Sequence, residues 1–142
     1  MIRIQIPATS ANLGSGFDSL GIALTMYNQV WMEESDTLDI SSKDDVKIPT
    51  DENNLIFWAA RQVYEKCGRK LPGLKLIQQN DIPMARGLGS SSACIVAGIL
   101  GANRLLGSPL STTELKAIRT TRPLPLREVW LLLPLRRAAS TA

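Results

Sequence analysis

Apolar and polar residues alternate at the start of the chain, with Ile2, Ile4 and Ile6 in phase and Arg3 and Gln5 between them. A period of two turns one row toward a core and the other toward water, so this segment predicts a half-buried strand that Pro7 stops. Ile22 to Glu34 is rich in β-formers (Ile22, Leu24, Thr25, Tyr27, Val30, Trp31) and predicts one or two strands. Thr37 to Ser42, with Leu38 and Ile40 on one face, predicts another, and Leu74, Leu76 and Ile77 predict a strand entered through Pro72-Gly73. Lys43 to Asn54 is polar, contains Pro49 and reads as a loop. The period then lengthens. Leu55, Trp58, Ala59, Val63 and Cys67 recur at helical spacing, with Asp51 or Asn53 placed to cap the helix and Gly68 to close it. Glu65 and Arg69 stand one turn apart, as a solvated pair of small value. Ala93, Val96, Ala97, Leu100 and Leu105 mark a second helix ended by Gly107, and Ser111 or Thr112 opens a third with Glu114 in capping-box position. Gly98 and Gly101 lie inside the second helix, where each costs roughly 0.5–1 kcal/mol relative to alanine, so close packing against a neighbour is expected there.

Composition narrows this pattern to a class. The 142 residues suffice for one domain with a sizeable core, and 44% hydrophobic with 20% charged residues is ordinary globular usage. No apolar run is long enough to span a membrane, and the first residues lack a signal peptide's apolar centre, so the expectation is a cytoplasmic protein without membrane contact. Cys67 and Cys94 stand apart within helical patterns and read as reduced thiols. The chain contains no histidine, which excludes imidazole acid–base chemistry and histidine metal sites. The formal charge of +3 is unevenly placed. Residues 1–118 hold 11 Lys+Arg against 12 Asp+Glu, whereas residues 119–142 hold 5 against 1. The basic excess therefore belongs to the tail, and a near-neutral body argues against nucleic-acid binding.

The chemistry concentrates in two stretches. In the first, Gly87 and Gly89 precede Ser90, Ser91 and Ser92, and an apolar helical pattern follows at once. A glycine turn feeding a helix N-terminus exposes backbone N–H groups along the helix dipole, which suits phosphate, and the serines can cap the helix, touch phosphate oxygens or hold a metal. No G-K-[ST] follows at Walker spacing and no dinucleotide fingerprint is present. The second stretch, Ala8 to Gly21, is a small-residue loop in which Asn12 and Asp18 are the chemically capable members. On residue type alone both read more readily as turn-supporting residues.

Pro83 to Ala93 (Pro83, Met84, Ala85, Arg86, Gly87, Leu88, Gly89, Ser90, Ser91, Ser92, Ala93) resembles the P-x-x-x-G-L-G-S-S motif that wraps the ATP phosphates in the GHMP kinases. P-A-T-S-A-N-L-G-S-G-F-D-S-L-G, from Pro7, resembles the first motif of that family's homoserine kinases. The resemblance implies an α+β fold, the GHMP N-terminal domain with its ribosomal-protein-domain-like β/α sandwich, over residues 1–118. It implies ATP and Mg²⁺ as cofactors, L-homoserine as acceptor, a cytoplasmic place in threonine biosynthesis, and a full-length parent that is a homodimer. Carried over residue by residue, it puts Asn12 and Asp18 on the substrate and Ser91 on Mg²⁺. A carboxylate suits the acceptor's ammonium. No catalytic base stands out. Other GHMP acceptors (mevalonate, a sugar, a methylerythritol derivative) and a non-catalytic nucleotide- or nucleic-acid-binding module remain as alternatives.

After about Lys116 the sequence changes character: it is rich in arginine and leucine, lacks lysine, and has prolines breaking its apolar stretches. Homoserine kinases continue here with G-H-P-D-N-x-A-P-A and a further domain. Arg119 to Leu133 can be encoded so that a neighbouring frame reads P-D-N-A-A-P-A-P-T-G-G-M-V-V-A, and the expectation is a frameshifted tail over 119–142 with the C-terminal domain missing. The rival expectation is a genuine partner-binding tail, and the coding DNA across codons 115–120 separates the two. The metal carboxylate of the family lies in that lost continuation, so the chain is expected to transfer phosphate poorly.

Overall fold

The N-terminal alternation continues further than its pattern suggests. In the computed structural model, which describes residues 1–10, 21–84 and 86–118, strand β1 runs from Ile2 to Ser10, through Pro7. Proline removes a ladder donor, but β1 is an edge strand that pairs with β2 alone, and an edge tolerates that loss. The register holds to Pro7 opposite Tyr27, then slips between Pro7 and Thr9. Ile22–Glu34 is one long strand, β2. β3 (Leu38–Ser42) begins one residue later than expected, and β4 (Leu74–Asn80) extends three residues past Ile77.

Helix α1 (Leu55–Lys66) joins β3 to β4, which lie side by side and parallel. The sheet order is β1-β2-β4-β3, with the β1–β2 and β2–β4 pairs antiparallel. α2 (Ser90–Leu105) follows β4 directly, and the short α3 (Thr112–Lys116) comes last. The α3 cap is Ser111, with the full capping box to Glu114. For α1 the cap is Asn54, not Asp51 or Asn53: its Oδ1 accepts from the Ile56 N–H at 3.0 Å. Tertiary contacts select it, because the Asn54 amide also donates to Gln78 Oε1 at 2.7 Å and to the Pro49 carbonyl at 2.9 Å. Asp51 holds the preceding turn through the Asn53 N–H. Glu65 does not meet Arg69. It faces Arg61 at 3.9 Å, while the Arg69 guanidinium lies over the Tyr64 ring.

The period-two row Ile4, Ile6, Val30, Met32, Leu74 and Leu76 is buried beneath α1 and α2. Both helices bury wider faces than their sequence stripes indicate: Ile56, Phe57 and Tyr64 join in α1, and Ile95, Ile99 and Ala102 in α2. The internal glycines show why. A Cβ on Gly98 would lie well inside 3.0 Å of the Ile56 carbonyl oxygen, and one on Gly101 would meet the Met32 and Ile4 side chains. The helices therefore approach backbone to backbone at Gly98. Both cysteines are free thiols. Among the described residues, no helix is long and apolar enough to cross a membrane.

A carboxylate helps to pin the start of the 43–54 loop. Asp44 accepts from the backbone N–H of Asn80, from the Ser42 hydroxyl at 2.7 Å and from the Val46 N–H at 3.0 Å. Burial alone would raise its carboxyl, but these bonds outweigh burial and hold it below the ordinary 3.8. A depressed carboxyl contributes stability that is fully present at neutral pH and is lost as the pH falls through 3.8 toward the folded value. The melting midpoint of the chain is expected to fall over that acid range, and that of Asp44→Asn to start lower at neutral pH and fall less. Parallel pH profiles would show that Asp44 has no such role.

Candidate phosphate-binding site

β4 ends at Asn80, and within ten residues the chain has turned and entered α2. Gly87 and Gly89 make that turn, with φ of 69° and 72°. In this left-handed region a β-carbon costs roughly 1–2 kcal/mol, so glycine belongs at both positions. Gly89 is the α2 N-cap, with no side-chain cap bond, and its carbonyl accepts from the Ala93 N–H at 2.8 Å. The three serines are thus not caps: they are the first three residues of the helix.

Placement separates their capacities. Ser91 is exposed, Ser90 half-buried, and Ser92 and Ala93 buried. The first amides of a helix lack intrahelical acceptors and carry its positive dipole end. α2 has no acidic residue in its first turn to compete for that position. Arg86 and Met84 are exposed on the loop, Met84 at 57%, with Pro83 exposed beside them. Ala85 lies outside the described residues. The loop can therefore offer backbone N–H groups, the Ser91 hydroxyl and one exposed guanidinium to an anion.

Two bonds tie the loop to the first hairpin. At its start, the Ile82 N–H donates to Asn28 Oδ1 at 2.9 Å, with Ile82 itself fully buried. Near its end, the Thr9 N–H donates to the Leu88 carbonyl at 3.0 Å, between the two left-handed glycines. Sequence reasoning missed Thr9 and Asn28. A signal existed for Asn28, which is in phase with Val30 and Met32 and so faces the core as a polar residue.

The expected substrate residues Asn12 and Asp18, and the 119–142 tail, lie outside the described residues. β1 ends at Ser10, one residue beyond the Thr9 tie, so Ala8 to Ser10, expected as the start of the small-residue loop, are strand. Among the described residues no group of three or more Cys, Asp or Glu could hold a metal ion. Among the described residues of the loop, Ser91 exposes a hydroxyl that could serve a magnesium ion as a neutral oxygen donor. Magnesium keeps waters and takes much of its coordination from phosphates, so one hydroxyl matches an ion carried in by a nucleotide.

Residues 54–121 match the model of the GHMP kinases N terminal domain. A homoserine kinase of Petrotoga mobilis is 44% identical over 124 residues, 85% of this chain and 40% of that protein. One from Caldicellulosiruptor saccharolyticus is 50% identical over 117 residues, 81% and 38% of the two chains. A solved structure described as a homoserine kinase from Listeria monocytogenes superposes with a TM-score of 0.70 at 44% identity, over 83% of this chain and 42% of that one. A mevalonate kinase structure has a TM-score of 0.64 at 14% identity, which shows the shared fold alone. The chain spans about 40% of the length of the curated relatives it matches.

Proposed function

We propose that this chain, which belongs to the GHMP kinases through its N-terminal domain, is the ATP-binding part of an enzyme that phosphorylates L-homoserine. The observation that carries the reading is the loop between β4 and α2: two left-handed glycines present the N-terminal amides of a sixteen-residue helix, with Ser91 exposed beside them. Relatives 44–50% identical bear the name homoserine kinase, which favours this acceptor over mevalonate.

In this reading the loop amides and Arg86 hold the ATP phosphates, and Asp18, with Asn12, receives the ammonium end of homoserine. Ser91 holds the Mg²⁺ that comes with the nucleotide. When bound, that ion neutralises charge on the transferring phosphoryl group. The homoserine hydroxyl oxygen attacks the γ-phosphorus and ADP leaves, giving O-phosphohomoserine. Such transfer depends mainly on positioning and electrostatics, so the reading needs no strong catalytic base. We assign residues 1–118 to the ATP-binding domain and 119–142 to an unrelated tail. The compartment is cytoplasmic, the partners are small molecules and not nucleic acid, and the full-length parent is a homodimer.

The chain alone is expected to release ADP far below the roughly 1–100 per second usual for kinases. Residues 1–118 joined to the C-terminal part of the Listeria monocytogenes protein are expected to consume ATP with L-homoserine and not with mevalonate. A chimera that prefers mevalonate would refute the acceptor, and a chain that turns over alone at kinase rates would refute the incompleteness.

A further inference from the structure

Four buried side-chain polar atoms lack a hydrogen-bond partner among the described residues: Arg3 Nε, Arg61 Nε, Thr9 Oγ1 and Asn28 Nδ2. The two arginines still bond through other guanidinium nitrogens, Arg3 to Gln29 and Arg61 to Glu52. Thr9 and Asn28 differ from them. Thr9 is fully buried with its whole hydroxyl unpaired, and Asn28, 3% exposed, has an unpaired NH₂. A flip of the Asn28 amide cannot mend this, because its Oδ1 already accepts the Ile82 N–H. Buried polar groups are almost always paired, so two orphans call for a cause.

Their positions supply one. Thr9 and Asn28 are the two residues that tie the glycine loop to the hairpin, one at Leu88 and one at Ile82. Both unpaired atoms can donate, and the residues that carry them bond the two ends of a loop whose own contribution is backbone N–H groups. A site made of donors is completed by acceptors, and a polyphosphate carries many. We propose that Thr9 and Asn28 are positioning residues for the phosphate chain of the bound nucleotide, their orphan donors acquiring acceptors when phosphate binds at the loop. This rests on reading the loop as a nucleotide site and adds two residues outside the loop motif. The unpaired donors destabilise the unliganded protein, and ligand binding removes that cost.

Valine at position 9 keeps the threonine shape and deletes the hydroxyl, and serine keeps the hydroxyl. Aspartate at position 28 keeps the acceptor for Ile82 and replaces the NH₂ with a carboxylate oxygen. The experiment titrates the full chain with MgATP and with AMP by calorimetry, and records melting midpoints. Thr9→Val is expected to melt at or above the parent midpoint yet bind MgATP about tenfold more weakly, a charge-assisted hydrogen bond's worth. Its AMP affinity is expected to change less than twofold, and Thr9→Ser to restore MgATP binding. Asn28→Asp is expected to lose more than tenfold for MgATP. Variants that bind MgATP as the parent does would overturn the proposal and leave the nucleotide site standing. A Thr9→Val loss that falls equally on AMP, or that follows a lowered midpoint unrescued by serine, would reduce both residues to structural supports and overturn it too. A parent chain that fails to bind MgATP would overturn the site and the proposal together.

Discussion

Alanine at position 98 is expected to destabilise the domain by about 3 kcal/mol, near the upper end for overpacking a core. The new methyl group would meet the Ile56 carbonyl oxygen, the Ala59 Cβ and the Ala60 nitrogen. Two of these are backbone atoms of α1, so relief requires α1 and α2 to separate, which opens their contact around Ile56 and Ala59. Gly101→Ala is the control. There the methyl group meets the ends of the buried Met32 and Ile4 side chains, which can repack more cheaply than helix backbone can move, and alanine regains roughly 0.5–1 kcal/mol of helix propensity. The net cost at 101 is expected to be about 1 kcal/mol or less. Urea denaturation measures both, and equal losses would mean that the helices do not meet through their backbones at Gly98.

The second large effect falls on ligand binding. Gly89→Ala is expected to weaken MgATP binding by about tenfold or more while the fold persists. At φ 72° a β-carbon costs roughly 1–2 kcal/mol, and the loop can escape only by changing conformation. That change turns the first amides of α2 away from their common focus. A Gly89→Ala chain with parental MgATP affinity would show that the left-handed turn does not shape the phosphate site.

Much of this was legible because its physics is local. The period-two row of Ile2, Ile4 and Ile6 announced a strand, Ser111 with Glu114 announced a cap, and the glycines inside α2 announced close packing. Two of the errors share one cause, which is that partners distant in sequence decided the outcome, and a third is local. Pro7 does not stop β1 because an edge strand tolerates it. Asn54 displaces Asp51 and Asn53 as the α1 cap because Gln78, twenty-four residues away, holds its amide. Ser90 looks like a cap, yet Gly89 takes that place once its left-handed backbone starts the helix. The glycine turn into α2 was legible as well. The ties at Thr9 and Asn28 were not, since each joins residues more than fifty positions apart.

The most direct test of the nucleotide site follows backbone amide NMR shifts of the 142-residue chain as MgATP is added. The expected result is saturable binding, with the largest shifts at Gly87, Gly89, Ser90, Ser91 and Ser92 and smaller ones at Thr9 and Ile82. Failure to saturate at millimolar MgATP, or shifts concentrated on β3 and α1 with the glycine loop unmoved, would contradict it.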